Sequence, residues 1–539
     1  MVTCFVCTMS TLAVVQNPDV TSHQLQMLLP HEWFSALYHR DKDLFHKVMG
    51  TDTCEEFWTR MAACDEPWLK HHEYRREVEA DPARRVLFII FGDAAAMGKQ
   101  RGLTVLHFCA MGCRLPSLKS RLPIYIIPCH WLLPCTLEPL NEVVAWSFRC
   151  LADGTHPLVD HLGKPWPKNS ERDRRGGTQL ADGWRGIFVY YLGDWEWQMS
   201  ALHAPQHYKL DDICVRCCAT KRGHHNYANF NNDPPLRSEE EFRADPSVET
   251  CALLSVPGSH HTSILGELMH AGPLGVCPLA AGAVLVELCE ENVWPLPAGL
   301  TRRWEERLAL QLGLAYIDFR NWCKKERVRT SQRKFTPARL SMSSLMSWPC
   351  LKAKAANCLK VQSWLAHKCA KHNHGSHGET RALTMWGFDA FFTLCRNAGQ
   401  WLSVDELRRV DRSCRAFLFG YNALSAEAHA FGRTRWEMRP KHHVLRHVWK
   451  DTLRTARNPA WQWTFVDEDS MMKYVKVSAM SHPSTIPRSA LERWVIRVWQ
   501  EAGSAGVALG DAISTKMVGC AGRVRHGGRE LQPAIIRVN

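Results

Sequence analysis

Two apolar runs in this chain end on glycine followed by aspartate: residues 86–93 read VLFIIFGD and residues 186–194 read GIFVYYLGD. Runs that short and that rich in β-branched and aromatic residues read as strands buried on both faces. Each strand would therefore deliver a carboxylate, Asp93 or Asp194, where it closes. A single Gly-Asp at a strand end commonly shapes a turn and nothing more. Two of them in matched places suggest two acids meeting at one site. Carboxylates so close repel, which raises a pKa or demands a cation between them. Divalent ions resolve that conflict, and a pair of them clamps both the attacking and the leaving oxygen of a phosphodiester. A third acid arrives late, in the run Asp467-Glu468-Asp469. Glu468 is the natural choice, with Asp467 and Asp469 as neighbours; at a helix start all three also suit the helix dipole without chemistry.

The elements that must position these acids can be read from periodicity. Residues 27–80 carry Leu28, Trp33, Leu37, Phe57, Trp58 and Met61 at helical spacing. Strands are expected at 86–91, 103–110 and 123–127, then a helix over 138–152 with Val143, Val144, Ser147, Phe148 and Leu151 on one face. A charged loop follows at 167–179, and then the strand that ends at Asp194. Three strands, a helix and a fourth strand predict an α/β fold with an RNase H-like mixed sheet core (β-β-β-α-β), in which the first and fourth strands lie side by side.

From about 201 to 459 the chain reads as a large, mostly α-helical insertion. Trp304, Leu308, Leu312, Tyr316 and Phe319 form one stripe. A second follows the capping box Ser403-Val404-Asp405-Glu406 through Leu407, Val410, Cys414, Phe417 and Tyr421. Both stripes are core faces. Residues 460–502 should complete the sheet domain with a short aromatic strand at 461–465 and a helix opened by the three acids. The boundaries expected are therefore 1–83, 84–200, 201–459, 460–502 and a loosely ordered Gly-rich tail at 503–539.

Charge is unevenly placed. Of the formal net charge of +13, residues 301–460 hold 30 Lys/Arg against 12 Asp/Glu, while the remainder has 37 against 42. A concentrated positive region favours a polyanion such as DNA. Its densest part, 323–339, supplies Lys324, Lys325, Arg327, Arg329, Arg333 and Lys334, and Lys441 follows later; phosphate contacts from such residues are sequence-independent and salt-sensitive. The same segment also reads as an import signal or a solvated helix end. Hydrophobic content of 45% excludes global disorder. The 22 cysteines have no small-domain disulfide spacing, so a reducing, intracellular compartment, nuclear or cytoplasmic, is expected. The first residues lack a basic stretch ahead of their apolar run, so no signal peptide is expected. The uncharged run 271–286 contains Pro273 and Pro278 and reads as too short and too broken to span a bilayer. No Walker loop and no Gly-x-Ser-x-Gly elbow occurs, which leaves nucleotide hydrolysis and serine-hydrolase chemistry without support.

Cys214-Val215-Arg216-Cys217 has the spacing of one edge of a tetrahedral structural Zn²⁺ site, with His203, His207, His224 and His225 nearby and no clearly spaced second pair. Glu267-Leu268-Met269-His270 puts a carboxylate and an imidazole on adjacent turns: a pair that orients the active site, or a buried His satisfied by one acid. His442, His443 and His447 read as phosphate contacts or as packing on Trp449.

With these residues in view, the chain resembles the DDE/D transposases of CACTA-type and related eukaryotic DNA transposons. The likeness spans roughly residues 25–500. It rests on Gly92-Asp93, WRGIFVYYLGDWEW, the Cys pair in DDICVRCCATK, ILGELMHAGPLGV, and RPKHHVLRH ahead of Asp467-Glu468-Asp469. The resemblance implies Asp93, Asp194 and Glu468 as a triad binding two Mg²⁺ or Mn²⁺, DNA cleavage and strand transfer, DNA as partner, and self-association as an option. It also implies Glu267 and His270 at the family's Asp-x-x-His or Cys-x-x-His element, with Glu a methylene longer than Asp. The alternative function is a catalytically inactive, transposon-derived nucleic-acid-binding or interaction protein.

Overall fold

A computed structural model describes residues 10–14, 23–64, 66–97, 101–132, 136–297 and 303–503; the tail expected at 503–539 lies almost wholly outside them. Among the described residues six strands occur: β1 (Ser10–Val14), β2 (His23–Met27), β3 (Arg85–Met97), β4 (Arg101–Ala110), β5 (Leu122–Pro128) and β6 (Arg185–Leu192). β1 and β2 form a separate antiparallel hairpin, which the sequence reading did not anticipate. The others make one mixed sheet in the order β5-β4-β3-β6. β3, β4 and β5 are an antiparallel meander, and β6 returns parallel to β3. The connection to β6 runs through a crossover helix, Leu137–Asp153.

The sequence makes this sheet because its strands are apolar on both faces, and both faces are covered. Phe148 of the crossover helix meets Phe88, Phe108 and Phe188 on one face. On the other, the late helices Phe465–Ala479 and Ile486–Gly503 bring Tyr474, Leu491 and Trp494 into the same core. The N-terminal helices join it through Trp33, Phe34, Phe57 and Trp58, as their helical spacing predicts.

Two details depart from the sequence reading. β3 does not end at Asp93, since pairing with β4 continues from Asp93↔Val105 to Met97↔Arg101. What ends there is pairing with β6, whose last partnered residue is Leu192, and burial gives way to alternation. The aromatic stretch 461–465 is not a strand. Asn458 caps Ala460 and Pro459 opens a short 3₁₀ turn, Pro459–Gln462, and the chain goes straight into the helix Phe465–Ala479. The sheet therefore stays at four strands among the described residues.

A second core is built by helices Cys277–Glu290, Trp304–Lys325, Ala355–Lys371, Gly375–Asn397, Val404–Ala430 and Lys441–Thr455. Ser403 and Glu406 make the expected capping box. Pro273 and Pro278 do not break the apolar run. A π-helical turn, Gly272–Val276, takes up the first, and the second follows directly after that turn, as the second residue of Cys277–Glu290. Leu268–Glu290 is thus long and apolar enough to cross a membrane, yet 94% of its apolar window is buried inside the protein.

Candidate functional site

The two Gly-Asp pairs share a physical cause. A Cβ on Gly92 would lie 1.9 Å from Nε1 of Trp197, and one on Gly193 would lie 2.3 Å from its Cε3. One indole packs on both strands at the point where they part, so both positions exclude a side chain. Asp93 stays on β3. Asp194, two residues past β6, caps the helix Trp195–Ala201 by accepting from the Trp197 N–H at 2.8 Å. The turn-shaping reading of Asp194 is therefore correct for one oxygen, and the same cap holds its carboxylate at the sheet edge.

Glu468 reaches these aspartates from the first turn of Phe465–Ala479 and stands within hydrogen-bonding reach of Asp93. Its neighbours point elsewhere. Asp467 is buried against Arg121 at 2.8 Å and His107 at 2.9 Å, and the guanidinium holds its carboxyl well below the usual range despite burial. Asp469 accepts from Ser117 at 2.5 Å and pairs with Lys473 at 2.9 Å. Asp467 bolts the late helix to β4, and Glu468 is the acid left facing Asp93.

Burial, then the Glu468 carboxylate, then Asp194 push Asp93 up to about 7. Burial and Glu267 raise Glu468, against the pull of His270. Asp93 thus feels both other acids. Hard carboxylate oxygens gathered at mutual electrostatic cost are the donor set that Mg²⁺ or Mn²⁺ takes.

Glu267 and His270 border the same site. The chain enters beside β6 through one parallel bridge, Tyr191↔Ile264, with Leu265 donating to Tyr191 at 3.1 Å. Two residues on, the buried Glu267 accepts from the N–H groups of Met269 and His270, both at 2.5 Å, and of Thr464 at 3.2 Å. It also holds Nδ1 of His270 at 2.6 Å, which leaves Nε2 at 3.9 Å from Glu468. Burial opposes charge on His270, and Glu267 overrides it, so the imidazole is raised above its ordinary pKa. Glu267 therefore fixes two helix starts at once: the one that carries His270 and the one that carries Glu468.

A cavity of about 310 Å³ opens beside Asp194, lined among others by Trp195, Tyr208, His270, Arg439 and Lys441. Lys441, singled out in the sequence as a DNA-backbone contact, lies here rather than with the basic segment. Burial lowers its ammonium pKa, partly offset by Glu267 and Asp194. The other six basic candidates, Lys324, Lys325, Arg327, Arg329, Arg333 and Lys334, are exposed at the end of the helix Trp304–Lys325 and along the segment after it. That segment is pinned by Tyr316 donating to the Gln332 carbonyl at 3.0 Å, by Asn357 donating to Ser331 at 3.0 Å and by the buried Phe335. Its cations face outward from a fixed backbone.

A different centre lies on the other side of Lys441. Cys214, Cys217, His443 and His447 offer four ligand atoms within 4.8 Å of one another. Sγ of Cys217 is 3.2 Å from Nε2 of His443 and 3.4 Å from that of His447, and Sγ of Cys214 is 3.3 Å from Nε2 of His447. Two thiols and two imidazoles so close suit a tetrahedral, closed metal site. The two histidines, one helical turn apart on Lys441–Thr455, are the partners the sequence reading missed. His203 pairs instead with Glu138, and His224 with Asn232. Arg216, between the cysteines, forks onto Asp451 at 2.7 and 3.0 Å, tying the knuckle to the same helix. Glu239, His260 and His261 form a second cluster, but Arg243 already occupies Glu239 at 2.6 Å.

No protein-family model matches this chain, and no curated protein does either.

Proposed function

We propose that this protein is a transposase-like enzyme that cleaves and transfers DNA strands in a metal-dependent reaction, with Asp93, Asp194 and Glu468 as its catalytic acids. The observation that carries this reading is that carboxylates from β3, the end of β6 and the late helix act on one buried group: burial first, then Glu468 and Asp194, push Asp93 up to about 7. Strand order β5-β4-β3-β6 with β6 parallel to β3 is the order an RNase H-like core requires, and it supports that assignment. Residues 84–200 and 460–502 then form the core, with 201–459 as its helical insertion.

When bound by these acids, paired Mg²⁺ or Mn²⁺ ions supply Lewis-acid activation of a water or 3′-hydroxyl and neutralise the departing oxygen. The residues do the rest. Asp93, which feels both Glu468 and Asp194, would hold the metal together with them. Asp194 is held by its cap and Glu468 by the Asp467–Arg121 bolt, so neither must reorganise as charge develops. His270, whose charged form Glu267 favours against burial, and Lys441 stand where a phosphate would approach. The outward cations at 324–334 hold duplex DNA along its backbone. Cys214, Cys217, His443 and His447 take a structural Zn²⁺ that staples the start of the insertion to the helix bearing Lys441.

The test is a nicking assay with Mg²⁺ and supercoiled DNA. The wild-type protein should nick it and Asp93→Asn should not. DNA binding that falls steeply with salt, with no nicking by either protein, would instead identify a non-catalytic DNA-binding protein.

A further inference from the structure

We propose that the cavity beside Asp194 receives an unstacked nucleotide of the DNA, the one flanking the phosphate to be cut. The inference rests on the DNA-cleavage reading above and adds a ligand class that reading does not contain.

Cavities of a few hundred cubic ångströms are of a size that encloses small ligands, and this one measures about 310 Å³. It adjoins the acids, because Asp194 and Glu267 are part of its wall. One side is aromatic. Trp195 and Tyr208 stack on each other, 5.5 Å apart and 26° from parallel, which holds the Trp195 indole as a surface of the kind on which bases stack. Leu274 and Val444 add apolar wall. Lys441, whose ammonium feels Glu267 and Asp194, adds positive charge.

The acidic groups in the wall do not oppose this occupant, because each has other work. Glu196 is held by the Tyr208 hydroxyl and, at 3.0 Å, by Lys209. Glu267 is saturated by three backbone N–H groups and His270. Asp194 caps Trp197. Arg439 is neutralised by Glu437 at 2.7 Å, whereas Lys441 forms no ion pair among the described residues and is available to a phosphate oxygen. An aromatic wall and a lysine within one cavity match the two ends of a single nucleotide, base and phosphate. Enzymes that act within a duplex gain access in this way, by extruding a nucleotide into a pocket and stacking its base.

Two DNA probes separate this proposal from the reading beneath it: an intact 30-base-pair duplex and the same duplex with one unpaired adenine, both bound in Ca²⁺ and followed by anisotropy. The wild-type protein should bind the bulged duplex about tenfold more tightly, the gain expected of one base stacked on an aromatic ring. Trp195→Ala should reduce that preference to within twofold and leave the intact-duplex affinity unchanged. Leu274→Trp, which fills the cavity without removing its aromatic wall, should do the same and guards against a folding defect in the first variant. Equal wild-type affinity for the two duplexes, or a preference that survives in both variants, overturns the pocket and leaves DNA binding intact. Failure to bind either duplex removes the DNA reading and the pocket with it.

Discussion

The helix Lys441–Thr455 contributes residues to two sites of opposite design. In one, three carboxylates are gathered against their mutual repulsion, and Asp194 among them lines an open cavity. In the other, two thiols and two imidazoles are packed within 4.8 Å, with Cys217 and His443 buried. The first has hard oxygen donors and room for a substrate; the second has soft donors, a full tetrahedral set and no open position. Catalytic and structural metal sites differ in just this respect. Lys441 begins a helix whose next turns carry His443 and His447, so the closed centre fixes the position of a residue in the open one.

The comparison is tested most severely by dismantling the closed centre. Cys217→Ser, or chelation, should cost on the order of 5 kcal/mol, since metal affinity in such centres appears as folding energy. Thermal melting and metal analysis check it; a variant that melts with the wild type shows the four residues hold no structural ion. At the open site the expectation is reversed. Asp93→Asn should lower the cleavage rate at least 10²-fold, a loss of about 3 kcal/mol of transition-state stabilisation, with no loss of melting temperature.

The same carboxylate sets a pH dependence. Asp93 has a folded pKa of about 7 against an ordinary value of 3.8, so the fold favours its protonated form. Its contribution to stability is complete below about pH 4 and is lost as pH rises through 7. Metal-free protein should therefore lose roughly 2–4 kcal/mol over that window, Mg²⁺ should restore it, and Asp93→Asn should flatten the profile. Denaturant titrations at pH 4, 5.5 and 7 measure it.

Glu267→Ala should cost about 2–3 kcal/mol by leaving three backbone N–H groups unsatisfied, and it should slow cleavage by loosening Glu468. The smallest effect belongs to the outward cations. Arg329→Ala should weaken DNA binding a few-fold for any sequence and reduce the salt slope by about 1. A sequence-dependent loss would show base contact instead.

The open site was legible in the sequence because its signal is local. Two apolar runs closing on Gly-Asp, in a strand-strand-strand-helix-strand order, bring two acids to where two neighbouring strands part, one on β3 and one just past β6. The glycines needed the structure: nothing in the chain says that Trp197 lies on both. Glu468 could not be told from Asp467 and Asp469, because the choice depends on Arg121, His107 and Ser117, which lie more than 340 positions away. The closed site was half legible for the same reason. Cys-x-x-Cys is a local pattern, but its partners are 226 and 230 positions further on. His443-x-x-x-His447 was visible as a pair on one helix face, and its spacing is the signal that could have completed the site. The strand expected at 461–465 does not form, because Pro459, whose fixed φ turns the chain, outweighs the aromatic content of the stretch.

Mn²⁺ binding followed by electron paramagnetic resonance, on protein never exposed to chelator, bears on the central claim most directly. The wild-type chain should bind two Mn²⁺ ions, and Asp93→Asn should lose at least one of them with any metal held by Cys214, Cys217, His443 and His447 unchanged. Equal Mn²⁺ stoichiometry and affinity in the two proteins would contradict the claim that Asp93, Asp194 and Glu468 form a metal-binding catalytic centre.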